Sequence, residues 1–328
     1  MLHLVRNNSP YTAILLFIFT LCTQLQSLMH PVLPQATDTQ LVYGWILHVL
    51  SFLLGRSAFA WSFLGVVLVY LQALLLNAIA ARHRLFVQNS YLTAFASLSL
   101  SALHPALAQF SPMLLVSLCI LFVINELLQL KQTQNAGKYI FNLGFALMVA
   151  GLIQFSALAL VLFLIFSLIV LRPFSFREWM IMLVGLSMPL YIVTVWLFCT
   201  DKLHLLSLWP DLGVSLPSQL KPAQYYLGVF SGLIIWLSLS MYNMQTNLPK
   251  APIYIRRCWI AITALLLVSL LAAAFADKEV GAVWMVCLPA LSLILAHAFI
   301  NERSKKMNTI SFYFVLAFIV YCQVFLPL

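Results

Sequence analysis

Long apolar runs separated by short polar breaks set the rhythm of this chain and predict its elements. Eleven such runs span 11–29, 58–80, 90–107, 111–130, 139–153, 155–171, 179–199, 225–245, 258–275, 281–300 and 308–326. A helix needs about 20 apolar residues to cross roughly 30 Å of hydrocarbon, and most of these runs are near that length. Apolar residues are continuous within them rather than alternating with period two, which favours helices over barrel strands. The pair 139–153 and 155–171 is short, with only Gln154 and Ser156 marking its turn, so it reads as two spans or as one re-entrant pair. A further run, LVYGWILHVLSFLLG at 41–55, reaches only about 22 Å as a helix. Its less apolar positions, Gly44, His48, Ser51 and Gly55, are spaced four, three and four apart and form one helical stripe. It is expected to lie in the outer interface, or to dip in and return, with Tyr43 and Trp45 at the depth such rings prefer.

Composition agrees with this reading. The 328 residues are 63% hydrophobic and 8% charged, where a soluble domain carries about 25% charged residues. The expected fold class is therefore all-α: a polytopic helical transmembrane bundle of about eleven spans. Residues 1–328 are expected to form one integral membrane domain with no soluble domain. The run at 11–29 is taken as an uncleaved span, because a signal peptide has a shorter apolar core and a small-residue cleavage site.

Charge then sets orientation. With the N-terminus in the cytoplasm, 13 of the 17 basic residues face inward: Arg6, Arg82, Arg84, Lys131, Lys138, Arg172, Arg177, Lys250, Arg256, Arg257, Arg303, Lys305 and Lys306. Only Arg56, Lys202, Lys221 and Lys278 face outward, the asymmetry of the positive-inside rule. Letting 41–55 cross would invert every later loop. The net charge of +9 comes from scattered single residues and pairs, with no block of five or six like charges, so a nucleic-acid partner is excluded. The expected location is a bacterial inner (cytoplasmic) membrane, with membrane lipids as partners.

Candidate chemistry is sparse. The cysteines Cys22, Cys119, Cys199, Cys258, Cys287 and Cys322 are far apart, without CxxC or a nearby histidine cluster, so neither a metal nor a disulfide framework is expected. Phosphate-loop, HExxH and GxSxG motifs are missing from the sequence, and no cofactor is expected. Glu126 lies beside Asn125 near the cytoplasmic end of its span, where its carboxylate can snorkel toward Lys131 and the surface. His297 is expected to be satisfied by a neighbouring helix, and His104, before Pro105, reads as a helix-end residue. Gln72, Asn77 and Asn142 can bond across helices, while Pro189 and Pro289 suggest kinks. RPFSFREW, at 172–179, reads as a cytoplasmic turn pinned by Arg172 and Arg177. Pro173 discourages a helix through Arg172. Trp179 sits at the interface where the next span begins. Glu178 can pair with either arginine or favour that span's N-terminus. The outer loop at 200–224 carries Pro210, Pro217 and Pro222 and an LLSLW stretch expected to fold back on the membrane surface.

The segments NSYLTAF (89–95), YIFNLGF to GLSMPLY (139–191) and APIYIRRCWIAI (251–262) carry a resemblance. They resemble an uncharacterised multi-pass inner-membrane family of Bacteroidetes, whose members share an Asn-Ser-Tyr opening and an RPF..REW…G…P junction. That junction is here Arg172, Pro173, Phe174, Arg177, Glu178, Trp179, Gly185 and Pro189. The resemblance implies a class and a location. It also implies that Arg172, Arg177, Glu178 and Trp179 dock a cytoplasmic partner, beside their reading as a topological pin.

The layout is also similar to that of the polyprenyl-phosphate-dependent glycosyltransferases of the GT-C class. These have an inner N-terminus, about eleven or more spans, and a first external loop with interfacial helices and a catalytic acid. That resemblance implies transfer from a polyprenyl-linked glycan at the outer face, with Asp38 orienting or deprotonating the acceptor. Arg56, Lys202 and Lys221 would hold the lipid phosphate, with His48 and His30 nearby in sequence. The class carries its acid close after the first span, often as a paired motif. Asp38 stands alone nine residues beyond the span, in a QATDTQ stretch that reads equally as a solvated loop. Two other readings stay open: a carrier or flippase for a lipid or amphiphile, and a non-catalytic scaffold subunit of an envelope assembly with a membrane or cytoplasmic protein partner. An enzyme needs a cavity open to the outer leaflet beside Asp38. A carrier needs one near the midplane, at Asn142, Glu126 or His297, and a scaffold needs neither.

Overall fold

The structure, a computed structural model, describes residues 10–37, 39–55, 57–86, 90–130, 136–209, 223–274, 282–300 and 305–325. Among them there is no strand. The helices are α1 (Pro10–Thr23), α2 (Leu25–Met29), α3 (Leu41–Leu54), α4 (Ala58–Arg82), α5 (Leu92–Ser101), α6 (Pro112–Gln129), α7 (Gly137–Ile153), α8 (Leu160–Leu171), α9 (Phe176–Cys199), α10 (His204–Leu208), α11 (Ala223–Asn247), α12 (Ile253–Ala274), α13 (Leu288–Leu295) and α14 (Lys305–Val324). Seven helical stretches among the described residues are long and apolar enough to cross a membrane, and five shorter apolar ones accompany them. One buried core runs from Leu16 in α1 to Cys322 in α14. Large apolar side chains such as Ile169, Leu183, Ile234 and Leu267 are exposed around it, as lipid in place of water permits.

The innermost stretch is 282–299, of which 89% is buried. It is α13 flanked by two 3-10 segments, Ala282–Cys287 and Ala296–Phe299, and Pro289 marks the start of its α-helical part. Helices α5, α6, α11 and α12 pack around it. Helix α9 is peripheral, with only 22% of its span buried, and it lies along α7. Glycine permits that close approach. A Cβ on Gly185 would fall 2.6 Å from the Phe141 carbonyl oxygen, and one on Gly144 would fall 2.8 Å from that of Met182. Such small-residue contacts let helix backbones meet in a membrane, where packing rather than water drives association. Pro189 lies inside α9, four residues after Gly185, and has no N–H to donate to the Gly185 carbonyl.

Several expected spans are broken where their polar groups find work. The run at 11–29 divides at Gln24, whose Nε2 donates to the Ser101 carbonyl at 2.8 Å. The run at 90–107 holds only α5, all ten of whose residues are buried. The chain then turns extended at His104, as the residue before a proline prefers, and the His104 Nδ1 accepts the Ala106 N–H at 3.1 Å. The run at 155–171 opens as a 3-10 turn, Phe155–Ala159, before α8, so 139–171 is a helical hairpin. Two helices begin earlier than the apolar runs suggest. Helix α9 starts at Phe176, placing Arg177, Glu178 and Trp179 in its first turn. Helix α12 starts at Ile253, just after Pro252, so Arg256 and Arg257 are helical.

Candidate functional site

The bundle has two chemically different ends. One gathers the C-terminal ends of α4, α6 and α8 and the N-terminal ends of α9 and α12, and is rich in arginine. The other gathers α3, the hairpin turn at Gln154 and the segment after α9.

At that second end the start of α3 and the segment after α9 both meet the hairpin turn. Helix α3 packs on α7, and Gln40, just before α3, donates through Nε2 to Gln154 Oε1 at 2.9 Å. Trp209, just after α10, donates through Nε1 to the Gly151 carbonyl at 3.2 Å and meets Phe155 edge-on at 5.3 Å. Leu41, Met148, Leu152, Leu197 and Trp209 close into a small buried cluster. Thus the LLSLW stretch folds back, but onto the hairpin turn rather than into open interface. Helix α3 is anchored at its start, where Leu41 and Tyr43 are buried, while Trp45, Val49, Phe52 and Leu53 farther along are exposed. This one-sided apolar exposure is what an interfacial helix needs.

Of the proposed site residues, Asp38, Arg56 and Lys221 lie outside the described residues. His48 is exposed on α3, and Lys202 is exposed just after α9. Among the described residues no hydrogen bond or ion pair joins them to each other. Lys202 closes the end of α9: its N–H donates to the Leu197 carbonyl at 2.9 Å, and Asp201 takes a φ of 54° to allow it. Gln154 was legible only as a turn marker, and Gln40 and Trp209 carried no signal that they would grip it.

The arginine-rich end is built around Arg172. Its Nη1 donates to Glu178 Oε1 at 2.6 Å and its Nη2 to the Leu130 carbonyl at 3.1 Å, so one guanidinium ties the ends of α8, α9 and α6. Glu178 thereby takes both roles expected of it, pairing with Arg172 in the first turn of α9. Arg177 is exposed, and Trp179 meets the exposed Phe174 ring at 5.7 Å.

The intramembrane polar groups turn inward on one another. Glu126 does not snorkel: it is buried and accepts from Asn142 Nδ2 at 2.8 Å and Asn125 Nδ2 at 3.4 Å. Two amide donors inside the bundle replace the water it would have sought. Asn125 Oδ1 faces the His83 Nε2 at 3.3 Å. Gln72 bridges α4 and α6 as expected, donating to the Leu114 carbonyl and accepting from Ser117. Asn77 does not, since its buried Oδ1 meets no donor among the described residues. His297 is boxed by Trp259 and Phe86 at 4.4 and 4.9 Å, with Nδ1 3.3 Å from the Ile294 carbonyl. Among the described residues there is no metal-holding cluster.

A cavity of about 440 Å³ opens at the arginine-rich end, lined by Arg82, His83, Arg84, Leu128, Tyr254 and Cys258, among others. The arginines there were legible in the sequence only as topology signals.

These features define a polytopic helical membrane protein whose first loop carries a docked amphipathic helix. No family model and no curated protein matches the chain, so the resemblance to the Bacteroidetes family rests on the quoted residues alone. Among solved structures, the fold is similar to that of ArnT from Cupriavidus metallidurans, crystallised bound to undecaprenyl phosphate. The TM-score is 0.55 at 15% identity, over 94% of this chain and 64% of that one. The chain thus spans under two thirds of ArnT's length. At this identity the likeness is one of fold alone.

Proposed function

We propose that this protein handles a polyprenyl-linked envelope glycan at the end opposite the arginines, in the bacterial inner membrane, by GT-C-like transfer. The observation that carries this reading is the convergence of both outer loops on the α7–α8 hairpin turn through Gln40–Gln154 and Trp209–Gly151. It supports a shared site for residues that are far apart in sequence. A fold similar to that of a protein bound to undecaprenyl phosphate adds to it. In this reading Asp38 takes the proton of an acceptor hydroxyl as its oxygen bonds to the sugar's anomeric carbon. The bond from that carbon to the phosphate breaks, and the polyprenyl phosphate leaves with the electron pair. Arg56, His48, Lys202 and Lys221 stabilise the departing anion. The exposed apolar face of α3 lies along the polyprenyl chain.

The carrier reading is less well supported. Glu126 and Asn142 satisfy each other, and His297 is enclosed by aromatic rings, which counts against a transport path along them. The test is mass spectrometry of lipid extracts from a deletion strain and from one carrying only Asp38→Asn. The reading expects one polyprenyl-linked sugar to accumulate in both. Unchanged lipids in both would end it.

A further inference from the structure

The arginine-rich cavity has a construction that topology alone does not explain. Arg82 and Arg84 stand at its mouth, both exposed. Among the described residues the one ion pair is Arg172–Glu178, so neither of these arginines has a carboxylate partner there. Arg84 is also held in an unusual backbone state, with φ at 50°. The cause is a Schellman ending to α4, in which the Leu85 N–H donates to the Ala80 carbonyl at 3.0 Å and the Arg84 N–H to that of Ala81 at 3.2 Å. Glycine is the usual residue at this position, because a side chain is strained there. A strained residue at a cavity mouth points to a task for its side chain.

The remaining walls suit an amphiphile. Cys258 is buried at one wall, and Leu85, Leu128 and Ile255 make the lining apolar below the cations. Among the described residues no carboxylate lines the cavity, and Glu126, the nearest acid in the network reached through His83 and Asn125, is held by Asn142. His83 completes the mouth, its ring tethered by Asn125. Burial lowers the His83 pKa, the Arg82 charge adds to this, and the Asn125 contact opposes it. A bound anion would push it back up.

We propose that this cavity binds the phosphate headgroup of an anionic phospholipid from the adjacent leaflet, with Arg82, Arg84 and His83 around the phosphate and the apolar walls around the glycerol and first methylenes. Basic pockets between transmembrane helices at the cytoplasmic side take such headgroups. The site is separate from the glycan site proposed at the other end.

The test is native mass spectrometry of the purified protein offered phosphatidylglycerol or phosphatidylcholine. Wild type is expected to retain phosphatidylglycerol preferentially, and R82Q/R84Q to lose about 30-fold in affinity for it. R257Q, which changes an exposed arginine outside the cavity, should bind like wild type. R84G provides a second arm that does not depend on damage: it relieves the strained φ, so it should melt higher than wild type while binding the lipid less. Equal losses in R257Q, or unchanged binding in R82Q/R84Q, would overturn the proposal. Calorimetric binding of inorganic phosphate without retention of phosphatidylglycerol would assign a soluble phosphate and overturn the lipid.

Discussion

Asn142 and Glu126 show how single residues make this bundle specific. A buried carboxyl group is tolerated because two amides donate to it, and the stronger of these contacts crosses from α7 to α6. Removing one partner of such a pair costs more than removing both, since the survivor stays buried without compensation. Asn142→Leu is therefore expected to destabilise the protein by about 3 kcal/mol. Adding Glu126→Leu should recover much of that loss. Denaturant titration of the purified variants in mild detergent reads both effects, and additive losses would contradict the coupling. Arg172 works by the same logic at the bundle's edge, where Glu178 and the Leu130 carbonyl share one guanidinium. The RPF..REW junction is thus a brace between three helix ends, with Arg177 exposed beside it.

At the scale of elements, the contact between α7 and α9 is set by Gly144 and Gly185. Each sits where a Cβ would strike the facing backbone, and backbone cannot rotate away as a side chain can. Gly185→Ala should therefore cost about 1–3 kcal/mol through overpacking, read as a lowered thermal midpoint. Leu183→Ala, on the exposed face of the same helix, should cost little. Where helices exist was legible from hydropathy, because lipid demands long uninterrupted apolar runs. Where they break was mostly not. Gln24 and Ser175 end or begin elements through contacts or backbone states with no local signature, whereas the end at His104 could be read from the proline that follows it. The candidate site was legible only in part. The first loop's helix could be read from the stripe Gly44–His48–Ser51–Gly55, whereas the grip of Gln40 on Gln154, separated by 114 residues, has no local signature. Likewise, the charge count found Arg82 and Arg84 but could not show that α6 and α12 leave a cavity between them.

At the scale of the whole molecule, the bundle separates its chemistry between two ends joined by a packed apolar middle. The buried stretch 282–299 and its neighbours fill that middle, and its polar groups mostly pair locally. We propose glycan handling at the end where α3, the α7–α8 turn and α10 meet, and phospholipid binding at the other. Photo-crosslinking with a diazirine-bearing polyprenyl phosphate, followed by peptide mapping, tests this division most directly. The account predicts adducts on α3 or on residues 200–209, competed away by unlabelled polyprenyl phosphate. Adducts confined to the arginine-rich end, or spread evenly over the lipid-facing helices without competition, would contradict it.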